Sequence, residues 1–170
     1  MTAPGGYRPQ QDKTRWDRLA QAFAQTRLGG WLFITVFPAI DKRLMPLTRG
    51  RVRVAFGQPI LLLHTRGARS GQPRITPLLY TPHRGGFVIV ASKAGAVHNP
   101  AWYHNIRAHP NEVVVEIEGR RIPVRPHEAQ GLEREELWRV VNDNYTGYET
   151  YQGRTGGRTI PVLMLEPLGS

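Results

Sequence analysis

The chemistry-bearing residues of this chain fall in three short segments. The first runs Gly67-Ala68-Arg69-Ser70-Gly71-Gln72-Pro73-Arg74. Its glycines let a backbone turn tightly and come close to a ligand. Arg69, Ser70 and Arg74 supply donors suited to one anion. The spacing is neither a Walker loop nor a dinucleotide fingerprint, and an ordinary hairpin turn with solvated arginines has the same composition. The second segment is Ala91-Ser92-Lys93-Ala94-Gly95, followed by His98-Asn99-Pro100-Ala101-Trp102-Tyr103. It reads as a strand end, a loop of small residues and a helix start, where backbone N–H groups attract an anion and Lys93 adds charge. Asn99 is suited to cap that helix and Pro100 to open it. Trp102 and Tyr103 either flank a planar ring or enter the core. The third segment, Tyr145-Thr146-Gly147-Tyr148-Glu149-Thr150-Tyr151, sets three tyrosines at three-residue spacing. On one helical face they would line an apolar pocket with hydroxyl donors, or simply pack.

Other chemistries fare worse. The chain has no cysteine, which removes disulfides, thiolate zinc and cysteine nucleophiles. Its six histidines make no paired helical ligand spacing, so no metal site is expected. No Gly-x-Ser-x-Gly elbow occurs. Glu116, Glu118, Glu133, Glu135 and Glu136 read as exposed strand and helix faces.

These segments need a scaffold of short strands. The turn signals predict strands near 51–56, 60–65, 74–81, 86–92, 112–118, 120–126 and 160–166. Hairpins are expected at Arg66-Gly67 through Pro73, at Gly85-Gly86 and at Glu118-Gly119. One helix begins at Asn99-Pro100 and another covers roughly 130–145, with Leu137, Val140 and Val141 facing the barrel. The pattern is mainly β (β plus α): a small β-barrel of about six to seven strands with two or three peripheral helices. An N-terminal helix carries Trp16, Leu19, Ala20 and Phe23 at helical spacing and stops at Gly29-Gly30. The apolar run Trp31–Phe37, with Lys42 and Arg43 beyond it, either packs on the barrel or a second subunit, or lies on a membrane surface through residues 28–45. It is too short to span a bilayer. Residues 1–50 thus form a tail and helical segment, and 51–170 the barrel domain.

Lysine and arginine total 23 against 13 acidic residues, and only Lys13, Lys42 and Lys93 are lysines. An arginine-rich balance points to an anionic partner: nucleic acid, a membrane surface or a polyanionic small molecule. The start Met1–Gln10 has no signal-peptide pattern. With the absence of cysteine this suggests the cytoplasm, or its membrane face.

Taken in order, the segments resemble the deazaflavin-dependent nitroreductases and quinone reductases of actinobacteria. The likeness rests on Leu61 through Arg74, Ala91–Gly95, Asn99-Pro100-Ala101-Trp102-Tyr103 with Asn105, the tyrosine series, and Arg158-Thr159-Ile160-Pro161. The resemblance implies a split β-barrel, the 8-hydroxy-5-deazaflavin coenzyme F420, and hydride transfer to a quinone, enone or nitroaromatic. It implies coenzyme contacts at Arg69, Ser70, Arg74, Thr76, Pro77, Ala91, Ser92, Lys93, Gly95, Asn99, Pro100, Trp102 and Tyr103. Ser92, Tyr145, Tyr148 and Tyr151 would serve the acceptor. The competing readings are a flavin mononucleotide or haem protein on a related barrel, a carrier that only stores the coenzyme, and a basic nucleic-acid-binding barrel. The last is disfavoured because the aromatics cluster after a helix start instead of along alternating strand positions. Monomer and homodimer both stay open.

Overall fold

The computed structural model describes residues 59–169. The expected N-terminal helix, the apolar run and the strand at 51–56 lie outside them. In chain order the elements are β1 (Ile60–Arg66), β2 (Pro73–Leu79), β3 (Thr81–His83), β4 (Gly86–Val90), α1 (Ala101–Ala108), β5 (Val114–Ile117), β6 (Arg120–Glu128), α2 (Gly131–Asn144), α3 (Gly147–Gln152) and β7 (Val162–Pro167). Every paired strand is antiparallel, in the order β2-β1-β5-β6-β7-β4-β3. Strand β6 is shared between two halves. Its residues Arg120–Pro123 pair with β5, and Val124–Glu128 pair with β7. The result is a split β-barrel with α1 set against one half and α2 and α3 against the other.

Side-chain periodicity explains which face each strand buries. In β1, Leu61, Leu63 and Thr65 point inward while their neighbours are half-exposed. They meet Val115 and Ile117 of β5, Phe87 and Ile89 of β4, Leu163 and Leu165 of β7, and Trp102, Tyr103 and Ile106 of α1 in one core. Strand β4 is buried at all five positions, the mark of a strand covered on both faces. Its other face, Val88 and Val90, joins Val162 and Met164 of β7 in a second core with Leu137, Val141 and the three tyrosines. Cutting a fully buried side chain such as Ile89 back to Ala removes about 2–5 kcal/mol.

Three sequence expectations are corrected. The strand predicted at 74–81 is broken at Tyr80. The Tyr80 ring turns into the core, edge-on to Phe87 at 5.5 Å; its N–H still donates to Pro59 O at 3.2 Å in the β1 register, but proline has no N–H to return the bond, and the ladder ends there. The expected Asn99 cap does not form: α1 starts at Ala101 with Pro100 in the capping position and no side chain bonded to its first turn. The Asn99 oxygen instead accepts a 2.6 Å bond from Arg158 Nη1, and a charged donor outcompetes a neutral backbone N–H. Glu116 is not an open strand face. Its Oε2 lies 2.9 Å from His64 Nε2 and accepts from Arg121 Nε at 3.0 Å, cross-strand neighbours on β1 and β6 that shield it.

Candidate functional site

The expected turn after β1 is present and is tied to α1. Gly67 N–H donates to Gln72 O at 2.9 Å and Gly71 N–H to Gly67 O at 2.8 Å. Asn105, buried in α1, accepts from Ala68 N–H at 2.9 Å and donates to Thr65 Oγ1 at 3.2 Å. Arg69, Ser70 and Arg74 all stand exposed on this turn. Arg74 donates to Ser70 Oγ at 3.3 Å and to Pro73 O at 3.1 Å. Neither Arg69 nor Arg74 meets a carboxylate among the described residues, whereas Arg66 on the same hairpin is paired to Glu112 at 2.7 Å. Thr76 and Pro77 follow on β2, half-buried opposite Leu63 and Leu62.

The second segment is a strained loop. Beyond β4, Lys93, Ala94 and Gly95 take left-handed conformations in succession, at φ 47°, 51° and 82°. A residue with a Cβ held there costs about 1–2 kcal/mol. Gly95 N–H and Ala96 N–H are spent inside the loop, on Ser92 O at 3.0 Å and Lys93 O at 3.1 Å. The N–H groups of Lys93 and Ala94 have no partner among the described residues. Ala91 is buried, Ser92 half-buried and Lys93 exposed without a described ion pair. The loop therefore presents two amide donors and an ammonium at one place, which suits an anion.

Helix α1 joins the two segments. Asn99 stands just before it and Asn105 six positions on, about 9 Å along the axis. Asn105 holds the turn of residues 67–72, while Asn99 and Arg158 hold the loop of residues 91–96. Pro100, Trp102 and Tyr103 are buried beneath. Tyr103 donates to Glu128 Oε2 at 2.7 Å, and Arg107 covers its ring. Burial, then the Glu128 carboxylate, raises the Tyr103 phenol above its usual value.

The three tyrosines do meet, though not on one helical face. Helix α2 ends at Asn144, whose buried amide donates to Thr81 Oγ1 at 2.9 Å. Tyr145 is extended, at φ −145° and ψ 106°, and α3 restarts at Gly147. The Tyr145 ring lies edge-on to Tyr148 at 5.1 Å, and its hydroxyl is 2.9 Å from that of Tyr151. A Cβ on Gly147 would fall on the Tyr145 ring, so only glycine lets the two helices approach here. All three rings are buried, at 5–7% exposure. Burial is the largest cause holding each phenol above its ordinary value; for Tyr151 the bond to Tyr145 and the nearby Arg154 oppose it. The cluster touches the strained loop: a Cβ on Gly95 would sit 2.7 Å from Tyr151 O and 2.8 Å from Arg154 Cβ.

Sequence reasoning quoted Arg158 and Asn105 without assigning either a place in the site. For Arg158 the signal was a guanidinium just after the Gly156-Gly157 turn; Asn105, beside His104 and Arg107, had no local signal. A cavity of about 520 Å³ between the β3–β4 turn and α2, lined by His83, Arg84, Glu133 and Glu136, lies at the far end of β4 from the loop.

The fold is that of a split-barrel protein, and its loops at residues 67–74 and 91–95 carry exposed cations that meet no carboxylate among the described residues. Residues 41–167 match the family model described as F420H(2)-dependent quinone reductase, and the chain belongs to that family. It is 41% identical over 126 residues to the F420H(2)-dependent quinone reductase Rv1261c of Mycobacterium tuberculosis, covering 69% of this chain and 81% of that one. Among solved structures, an F420-H2 dependent reductase (FDR-A) is 38% identical with a TM-score of 0.57, covering 64% of this chain and 94% of that one. A structure described as a domain-swapped dimer is 34% identical with a TM-score of 0.59, covering 77% and 98%. The chain is accordingly an F420-dependent oxidoreductase. The expected split barrel and coenzyme are borne out. The quinone side of the resemblance is the one the family carries, nitroreduction being a related activity.

Proposed function

We propose that this chain reduces a quinone with hydride from F420 bound across the turn of residues 67–74 and the loop of residues 91–95. The observation that carries the reading is the pair of cationic loops, one tied to α1 by Asn105 and the other held by Arg158. Arg69, Arg74 and Lys93 are exposed, meet no carboxylate among the described residues, and stand on or beside segments fixed by Asn105 and Arg158. Three such cations suit a phosphate and a carboxylate-rich tail. The unspent amides of Lys93 and Ala94 fit an anionic or carbonyl oxygen, so the residues present suit the coenzyme.

Reduced F420 supplies two electrons together as hydride. The protein orients the reactants, excludes water and stabilises charge on the acceptor. Ser92, Thr76 and Pro77, with Ala91, Gly95, Asn99 and Pro100, form the walls, and Trp102 and Tyr103 support them from the core. A quinone that has gained hydride carries negative charge on oxygen. We assign the Ser92 hydroxyl, or one of Tyr145, Tyr148 and Tyr151, as its hydrogen-bond donor.

Fluorescence titration with oxidised F420 tests binding, and F420H2 oxidation by a soluble quinone tests turnover. Micromolar or tighter binding and quinone-dependent oxidation are expected. Failure to bind F420, or efficient NADPH oxidation without it, overturns the reading. The same proposal includes peripheral contact with anionic membrane through residues 28–45, where an apolar run precedes Lys42 and Arg43. No helix among the described residues is long and apolar enough to cross a membrane. Sedimentation with anionic liposomes that is lost on deleting residues 1–45 is expected, and a full-length chain that ignores them rejects that contact.

A further inference from the structure

Arg158 faces the strained loop from beneath and spends its whole donor set on it. Nε donates to Ala96 O at 3.2 Å, and Nη2 to Ala96 O at 2.8 Å and Ser92 O at 3.1 Å. Nη1 donates to Ala91 O at 3.3 Å and Asn99 Oδ1 at 2.6 Å. A guanidinium has five N–H donors, and these five bonds use all of them. The acceptors bracket the left-handed residues Lys93–Gly95 on both sides and reach Asn99, two residues before α1.

The other end of Arg158 is fixed as firmly. Its carbonyl accepts from Gln152 Nε2 at 2.7 Å. The Thr155 hydroxyl, fully buried, lies 2.7 Å from the same carbonyl and 2.9 Å from Gln152 O, and its one proton serves either. Gln152 Oε1 then accepts from Ile160 N–H at 2.9 Å. Gln152 closes α3, the helix that carries Tyr148 and Tyr151. One arginine therefore ties the strained loop, the start of α1 and the tyrosine helix to one another.

We propose that Arg158 is a positioning residue for coenzyme binding, holding Lys93, Ala94 and Gly95 in the left-handed arrangement that leaves the Lys93 and Ala94 amides without a partner in the loop. The proposal rests on the reading above that this loop receives F420. Local strain persists only where its surroundings impose it, and here five bonds from a single side chain do so. The acceptors are carbonyl and amide oxygens, with no carboxylate among them, so the positive charge under the loop is not cancelled by an acid. Arg158 thus both shapes the anion site and adds to its field. Lysine cannot replace it, because one ammonium lacks the planar fork that reaches both sides of the loop.

The test uses the full-length chain with Arg158→Lys, which keeps the charge. Three readouts are taken well below its melting temperature: hydrogen exchange of the Gly95 and Ala96 amides without coenzyme, the Kd for oxidised F420, and kcat at saturating F420H2. Faster exchange at those two amides is expected, with Kd raised about tenfold, the scale of a lost charge-assisted contact. The kcat should stay within about threefold, since the substitution alters how the coenzyme is held more than how it reacts. A folded variant with wild-type exchange and wild-type Kd overturns the proposal. A wild-type chain that fails to bind F420 sinks the functional reading instead, while exchange in Arg158→Lys still reports on the clamp. Should Arg158→Lys not fold, the comparison is made between Ala94→Gly and Ala94→Gly/Arg158→Lys, in which glycine eases Ala94 but leaves Lys93 left-handed and still dependent on the clamp. Equal Kd and equal exchange in that pair also overturn it.

Discussion

The hydroxyls of Tyr145 and Tyr151 lie 2.9 Å apart inside the second core, across the break between α2 and α3. Removing either takes a partner from the other in a site with little access to water. Tyr145→Phe and Tyr151→Phe should each cost about 1–3 kcal/mol. The double variant should cost less than the sum, because it leaves neither hydroxyl of the pair behind. Urea unfolding of the four proteins measures the coupling. Strict additivity would mean that the two hydroxyls do not interact in solution. Steady-state kinetics on one quinone and one nitroaromatic then decide the acceptor role: altered turnover at constant F420 affinity supports it, and unchanged kinetics in folded variants removes the hydroxyls from the mechanism.

The same burial sets a pH limit. Tyr145, Tyr148 and Tyr151 are all held above the ordinary phenol value of 10.0, chiefly by loss of hydration. In the unfolded chain they ionise near 10.0, whereas in the folded chain each ionises only at higher pH. The unfolded state then binds fewer protons, so stability falls as pH rises above that point and is untouched by these groups below it. Each group protonated only in the fold costs about 1.4 kcal/mol per pH unit. The urea midpoint should therefore be flat from neutrality to about pH 9.5 and fall steeply beyond 10, with phenolate absorbance from these tyrosines appearing together with unfolding. Phenolate absorbance from the three at pH 10 in the folded protein would contradict their burial.

Much of this fold is legible in the strand texture. The hairpins at Gly67–Gln72, Gly85 and Gly119 fall where the turn residues stand, and Leu61, Leu63, Phe87, Ile89, Val115, Leu163 and Leu165 follow the two-residue period into one core. The misses have a common cause, which is competition from residues distant in sequence. Asn99 looks like a cap until Arg158, 59 residues away, takes its oxygen. Residues 74–81 look like one strand, but Pro59, opposite Tyr80 in the register, has no N–H to give, and the Tyr80 carbonyl takes the Asn144 amide instead. The tyrosine spacing suggests one helix, but Asn144 is drawn to Thr81 and the helix stops there. The exposed cations of the site were visible as residue types. What was not visible is that Asn105 and Arg158 give them fixed positions, because a side chain's long-range partner leaves no local pattern.

Gly95 links the loop to the tyrosine helix by contact. Its φ of 82° and the 2.7 Å approach of Tyr151 O leave no room for a methyl group. Gly95→Ala should cost about 2 kcal/mol or more, combining left-handed strain and overpacking. Gly71 also has a positive φ, of 63°, but open space around its Cβ position. Gly71→Ala should cost only about 1–2 kcal/mol, and should leave the tyrosine cluster unchanged. Near-ultraviolet circular dichroism separates the two, since only Gly95→Ala should alter the tyrosine bands. Equal melting temperatures and equal spectra would show that the loop and α3 are not packed as described.

Arg69 and Lys93 belong to different loops, and their separate removal tests whether both face one anion. Each is exposed and without a described ion pair, so alanine at either position should leave the melting temperature within about 1–2 °C of wild type, as for most surface substitutions. Affinity for F420 should nevertheless fall, by about 1–3 kcal/mol for each lost charge-assisted contact. Part of that loss is long-range attraction, which salt screens over about 10 Å at 0.1 M and about 3 Å at 1 M. The penalty of each substitution should therefore shrink as salt is raised, and the wild-type Kd should rise toward that of the variants. If both cations engage the same anionic tail, the double variant should lose less than the sum of the singles, because the tail is already loosened by the first change. Isothermal titration at low and high salt with the four proteins reads all of these quantities. Unchanged affinity in both single variants at low salt would move the tail away from these loops. A loss at Arg69 alone would leave Lys93 to the loop's own charge balance and place the anion on the turn of residues 67–74.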